Sequence, residues 1–229
     1  LVRSESNLGF TGGNNLGIKH ALDVHQPDFI VLLNNDTYVD PKFLQQLYRH
    51  AEAHPECGLL CPKIYFGKGR EYHSGSYTAA QRGNVIWYAG GSIDWPNLLA
   101  FHRGVDELDR GHLDQLQRSD FATGCCVLIR REVIEKIGLL DERYFLYFED
   151  VDYSLRARRA GYEIGLCTAS KVWHVNAGSS GGAGSPLHQY YQARNRILFA
   201  VKHGSSRLRL LAARLVWKWI LSGSAAERS

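Results

Sequence analysis

The sequence predicts an α/β fold in which a mixed sheet is flanked by helices, and three observations carry that expectation. Phe29-Ile30-Val31-Leu32-Leu33 is a continuous apolar run. It is too short for a helix and branched enough for a strand buried on both faces. Apolar runs of strand length recur at 58–65, 121–129, 164–167 and 171–175, with helix-like stretches between them. Such alternation is the pattern of α/β layering. A chain of 229 residues suits one large domain or two small ones, with length enough for a core. The net charge of +4 and pI near 8.8 are too mild to indicate a nucleic-acid partner on their own.

Taken in order, Asn7-Leu8-Gly9-Phe10-Thr11-Gly12-Gly13-Asn14-Asn15-Leu16-Gly17 reads as a glycine-rich loop running into a helix that Pro27 stops. Such a loop is either an anion cradle at a helix N-terminus or a plain turn. The strand at 29–33 then ends in Asn34-Asn35-Asp36-Thr37, and Asp40-Pro41 opens a helix to about His54. Open α/β sheets place ligand chemistry at the carboxyl ends of their strands. Asp36 therefore reads either as a ligand group or as an acid closing a turn.

Residues 58–65 read as the next strand, and 71–94 as short antiparallel strands or an inserted flap, given Tyr72, Tyr77 and Val85-Ile86-Trp87-Tyr88 broken by glycines. Residues 96–119 show little periodicity and read as a mobile loop over a site or as disorder. A strand at 121–129 and a short helix closed by Gly138 follow. Next comes Glu149-Asp150-Val151-Asp152, behind the mainly aromatic Tyr144-Phe145-Leu146-Tyr147-Phe148. Acids in a first helical turn are favoured by the helix dipole. The apolar wall equally offers a setting that raises a carboxylate's pKa towards that of a base.

Two strands, 164–167 and 171–175, place His174 at a strand end, before a glycine- and serine-rich stretch, 176–185, that reads as flexible. Pro186 opens a helix bearing Tyr190, Tyr191, Arg194 and Asn195. Residues 207–221 combine arginines, a lysine and Trp217 and Trp219, and read as a membrane-surface helix or a terminal helix packed on its own domain. The expected division is a domain over 1–203 and a basic, apolar tail over 204–229. The five cysteines include the adjacent pair Cys125-Cys126 within an apolar run. They read as small core residues of a reducing compartment, not a disulfide framework. No apolar run of 18 residues occurs, so no segment reads as a membrane span.

The ordered motifs resemble family 2 glycosyltransferases, in particular their rhamnosyltransferase-like branch. They are Asn7-Leu8-Gly9-Phe10 with Gly12-Gly13-Asn14-Asn15, Leu33-Asn34-Asn35-Asp36, Thr123-Gly124, Gly138-Leu139-Leu140-Asp141-Glu142, 145–152, Arg159-Ala160-Gly161-Tyr162, Val172-Trp173-His174 and 190–195. The resemblance implies a GT-A-type nucleotide-diphospho-sugar transferase fold with a Rossmann-like mixed sheet. It implies inverting transfer of a sugar from dTDP-rhamnose or a UDP-sugar to a hydroxyl of a glycan or lipid-linked acceptor, in cell-surface polysaccharide synthesis. It sets Asn34-Asn35-Asp36 at the Asp-x-Asp position, with Asp36 and His174 holding Mg²⁺ or Mn²⁺. Asn34 stands where the motif has its first acid. Asp150, or else Glu149 or Asp152, matches the general base. Asn7, Gly9, Gly13, Asn14, Asn34, Asn35 and Arg194 fall to the donor, Gly124 and Trp173 to the acceptor.

The family opens with a β-α-β unit that holds the base, and only six residues precede Asn7 here. The chain also starts at Leu1 and contains no methionine. The expectation is a truncated domain that binds donor poorly, cytoplasmic, with peripheral contact at the inner face of the membrane. An inactive remnant and a membrane-surface binding module are the competing readings.

Overall fold

A computed structural model describes residues 1–115, 117–175, 185–210 and 212–214. Helix α1 (Gly9–His25) leads to β1 (Phe29–Leu33), β2 (Thr37–Val39) and α2 (Phe43–Ala53). Then come β3 (Cys57–Phe66), β4 (Val85–Tyr88), β5 (Gly91–Asp94), β6 (Leu99–His102), β7 (Glu107–Leu108) and β8 (Cys126–Arg130). Helices α3 (Arg131–Ile137) and α4 (Glu149–Arg159), strand β9 (Glu163–His174) and helix α5 (Pro186–His203) complete the named elements.

The sheet is built on β3, every residue of which is buried. On one side β9 runs parallel to β3, and β2 pairs antiparallel with β9. On the other side β3 meets β8 near its start and β4 near its end. Strand β1 lies antiparallel to β8, and β7 to β4. The α/β mixed sheet expected from the sequence is thus present. Its largest apolar cluster runs from Ile18 of α1 through Leu59, Cys126 and Ile164 to Val151 and Phe199 of the last two named helices.

Several local expectations change. The glycine-rich stretch is no loop, since α1 already begins at Gly9. The two strands expected at 164–167 and 171–175 form one twelve-residue strand, β9, whose register against β3 shifts between Pro62 and Lys63. The described residues of the segment read as a mobile loop form a meander carrying β6, which pairs with β5 just before it, and β7. Polar anchors fix it where periodicity is lacking. The Lys63 ammonium, 1% exposed in β3, donates to Asp109 at 2.9 Å and also to Asp114. The Tyr65 hydroxyl donates to Asp109 at 2.6 Å, and Asp106 receives His73 and, through its carbonyl, Tyr77.

All five cysteines are free and buried. Burial pushes the Cys61 thiol up to about 12, so it behaves as a small apolar group. Of the expected flexible stretch, 176–184 lies outside the described residues; so do residues 211 and 215–221 of the basic tail. The described start of that tail is helical, and Ala212 is buried in the main core with Leu208 packed against it. Among the described residues no helix is long and apolar enough to cross a membrane.

Candidate active site

Two strand pairings assemble the site. In the β2–β9 ladder His174 stands opposite Thr37, and the Val175 amide donates to the Asp36 carbonyl at 2.8 Å. Asp36 and His174, 138 positions apart, therefore meet, with Nε2 of the imidazole 3.2 Å from a carboxylate oxygen of Asp36. In the β1–β8 ladder Leu33 faces Cys126, and the Asn34 amide donates to the Cys125 carbonyl at 2.9 Å. That brings Thr123 and Gly124 beside Asn34. The Gly124 amide in turn donates to Asp150 at 3.0 Å. A side chain at Gly124 has no room, because a Cβ there lies 2.8 Å from the Phe10 ring.

These residues line one cavity of about 510 Å³, with Asn34, Asn35, Asp36 and His174 on one wall and Thr123, Gly124, Glu149 and Asp150 on another. Tyr72, Trp87 of β4, and Phe101 and His102 of β6 also line the cavity. Both Asp150 oxygens accept backbone amides, from Gly124 and from Val151. Burial raises the pKa of Asp150 above the usual carboxylate range, and those amides only partly oppose it. Glu149 is 4% exposed, and one of its oxygens has no hydrogen-bond partner. Burial and then the charge of Asp150 drive the pKa of Glu149 well up.

The segment before these acids is strained. Phe145, Tyr147 and Phe148 have φ of 63°, 70° and 70°, a region that large side chains rarely adopt. The side-chain amide nitrogen of Asn195 in α5, fully buried, lies 2.9, 2.7 and 2.8 Å from the carbonyls of Tyr144, Leu146 and Tyr147, which share its two hydrogens. Phe145 also stacks on Tyr191 at 5.2 Å and packs against Gly9, where φ is +68° and a Cβ lies 2.4 Å from the ring.

The donor set fits a divalent cation. Asp36 supplies carboxylate oxygens and His174 an imidazole that burial, opposed by Asp36, keeps below its usual pKa and so neutral. The other ring nitrogen of His174 is buried without a hydrogen-bond partner. A set of nitrogen and carboxylate donors suits Mn²⁺ better than Mg²⁺.

A model of the family described as glycosyltransferase-like family 2 matches residues 1–200. The chain belongs to this family. It is 27% identical over 197 residues to the low-salt glycan biosynthesis hexosyltransferase Agl10 of Haloferax volcanii, covering 86% of this chain and 58% of that protein. It is also 27% identical to the N-acetylglucosaminyl-diphospho-decaprenol L-rhamnosyltransferase of Mycobacterium tuberculosis, over all of this chain and 74% of that one. Among solved structures it is similar to GalNAc-T7 crystallised with UDP, GalNAc and Mn²⁺, with TM-score 0.56 and 17% identity. That likeness covers 86% of this chain and 36% of GalNAc-T7, and it bears out the GT-A fold.

Within this family 2 domain, three site expectations need correction. Asp152 is not a base facing the cavity. It is fully buried in a cationic nest, bound by His203 at 2.6 Å, Lys202 at 2.7 Å and Arg156 at 2.9 Å. Burial would raise its pKa, but His203, Lys202 and Arg156 overcome that and hold it below the ordinary carboxylate range. Trp173 turns from the cavity because neighbours in β9 alternate sides; its indole N–H donates to the Gly83 carbonyl and its ring stacks on Tyr65. Arg194 donates to the Arg143 carbonyl and to the Asn195 side chain and does not line the cavity.

From the first motif only Phe10 reaches the cavity. Asn7 accepts the Gly9 amide, Asn14 donates to the Phe10 carbonyl, and Gly13 lies on an open helix face. These residues shape the start of α1 instead. Trp87, His102 and Asn195 escaped the sequence reading as site residues: Trp87 read only as a strand former, His102 sits in the aperiodic meander, and Asn195 gives no sign of what its amide holds.

Proposed function

We propose that this family 2 domain transfers a glycosyl group from a nucleotide-diphosphate sugar to a hydroxyl of a glycan or lipid-linked acceptor, with inversion. The observation that carries the proposal is the sharing of one cavity by the Asp36–His174 pair and Asp150. Asp150 is the general base. It keeps one wall of the cavity, its oxygens are oriented by the Gly124 and Val151 amides, and its raised pKa suits the uptake of a hydroxyl proton. A single base opposite a leaving group suits direct displacement with inversion. Asp36 and His174 hold Mn²⁺ or Mg²⁺, with Asn34 beside them as a neutral oxygen. When bound, such a cation supplies positive charge to a departing diphosphate.

The Mycobacterium tuberculosis relative is named for a rhamnosyl transfer onto a lipid-linked N-acetylglucosamine. We take dTDP-rhamnose as donor and octyl β-N-acetylglucosaminide as acceptor for the first assay, with UDP-sugars as the alternative donors. The expected result is Mn²⁺-dependent product that Asp150→Asn abolishes. Transfer by Asp150→Asn at the wild-type rate would reject the assignment of the base. The basic tail at 207–221 is proposed as a peripheral membrane contact, checked by flotation with anionic vesicles.

A further inference from the structure

The cavity has an aromatic side that the transfer chemistry above leaves unused. Trp87 of β4 is wedged between His102 and His174, whose ring centroids lie 4.4 and 4.6 Å from its own. The Tyr72 hydroxyl is its hydrogen-bond partner, and the Tyr72 ring meets Phe66 at 4.8 Å. Trp87 is thus fixed from several directions in a cavity that also holds Asp36 and Asp150. At the same side Tyr72 is 55% and Phe101 51% exposed, although both line the cavity.

Large aromatic rings left open beside polar groups are costly to leave in water unless something covers them. A pyranose ring matches this pairing, with C–H faces for the aromatics and hydroxyls for the carboxylates. Phe101 lies in the meander braced by the buried Lys63–Asp109 pair, and Trp87 lies in β4, paired with β3, so both are set before any ligand arrives.

We propose that Tyr72, Trp87 and Phe101 form the acceptor subsite, on which a pyranose ring of the acceptor glycan stacks with its hydroxyl turned to Asp150. The proposal rests on the transferase reading. Tyr72 and Phe101 are exposed where they line the cavity, so a ring lying on them is reached from solvent, which assigns it to the acceptor and not to the donor sugar.

The test is binding of octyl β-N-acetylglucosaminide by saturation-transfer NMR, with UDP–Mn²⁺ binding measured separately by calorimetry. Phe101→Ala and Tyr72→Ala remove exposed side chains, so folding is preserved. Leu99→Ala, on the same hairpin but outside the cavity lining, is the control. The glycoside is expected to bind wild type and Leu99→Ala alike and to weaken about fivefold in each aromatic variant. UDP–Mn²⁺ affinity stays unchanged in those variants and is lost in Asp36→Ala. Equal glycoside binding by wild type and both aromatic variants, or none by wild type, overturns the subsite. Unchanged glycoside binding with weakened UDP-sugar binding in Phe101→Ala gives the wall to the donor and also overturns it. Absence of UDP–Mn²⁺ binding, with glycoside binding still dependent on Phe101, rejects the transferase reading alone.

Discussion

Replacing Asp150 and Asp152 separately by Asn tests the division of labour between two acids two positions apart on α4. Asp152 has 0% side-chain exposure, and its charge balances Lys202 and Arg156, which are 23% and 20% exposed. Removing one partner of a buried ion pair costs about 3–5 kcal/mol. The part-exposed cations can turn towards water, which favours the lower end, about 3 kcal/mol. In a chain of this size each kcal/mol moves Tm by about 2–4 °C, so Asp152→Asn lowers Tm by roughly 6–12 °C. Asp150 is the opposite case. Burial already pushes it towards the neutral form, so Asp150→Asn leaves stability within about 1 kcal/mol. It removes the base, for which rate losses of about 10²–10⁴ are usual. Thermal unfolding followed by circular dichroism, alongside transfer from dTDP-rhamnose, reads both quantities. The reasoning fails if Asp152→Asn melts with wild type while losing transfer, or if Asp150→Asn transfers normally.

Asn195→Ala takes the shared amide donor from the carbonyls of Tyr144, Leu146 and Tyr147 and relaxes the strained turn ahead of Glu149. It should lower stability by about 3 kcal/mol and reduce kcat more than either KM, as urea unfolding and steady-state kinetics will report. His174→Ala should weaken Mn²⁺ binding at least tenfold, to about the loss seen for supporting groups of metal sites, read by titration calorimetry. The transfer rate should rise with pH through the raised pKa of Asp150, because the base acts only when ionised; its acid limb then lies above that of an ordinary carboxylate near about 4. Stability has its own acid dependence. Burial lowers the His102 pKa to about 4, against about 6.5 for an unfolded histidine. The unfolded chain therefore takes the proton first, and stability, full above about pH 6.5, falls as pH drops towards 4. Urea midpoints at pH 7 and pH 5 measure this, and His102→Asn should shrink the difference.

Much of the framework is legible in the chain because local chemistry specifies it. The apolar run at 29–33 is a strand as expected, although with only Ile30 and Leu32 buried and Leu33 exposed it is not covered on both faces; Pro186 starts α5 at its first turn, and the acids at 149–152 fall where a helix N-terminus favours them. The ordered motifs sufficed to name the family. Local rules failed where long-range contacts overrode them. Glycines at 12, 13 and 17 suggested a loop, yet packing of α1 on the segment near Phe145 carries them as helix. The meander at 96–119 lacked periodicity, and its order comes from ion pairs to Lys63 that no pattern announces.

The sequence by itself determined which residue types could bind a cation and accept a proton: an acid after a buried strand, a histidine at another strand end, and acids behind an aromatic run. Only the tertiary structure decided which of them work together. The β2–β9 ladder sets His174 against Asp36, and the β1–β8 ladder carries Gly124 to Asp150. About half a turn of helix separates the roles of the acids on α4, since Asp150 lines the cavity while Asp152 points back into His203, Lys202 and Arg156. Side-chain direction on a helix changes by about 100° per residue, so neighbours in sequence face different surroundings. Those surroundings, the cavity and backbone amides for one and part-exposed cations for the other, set the chemistry of each carboxylate.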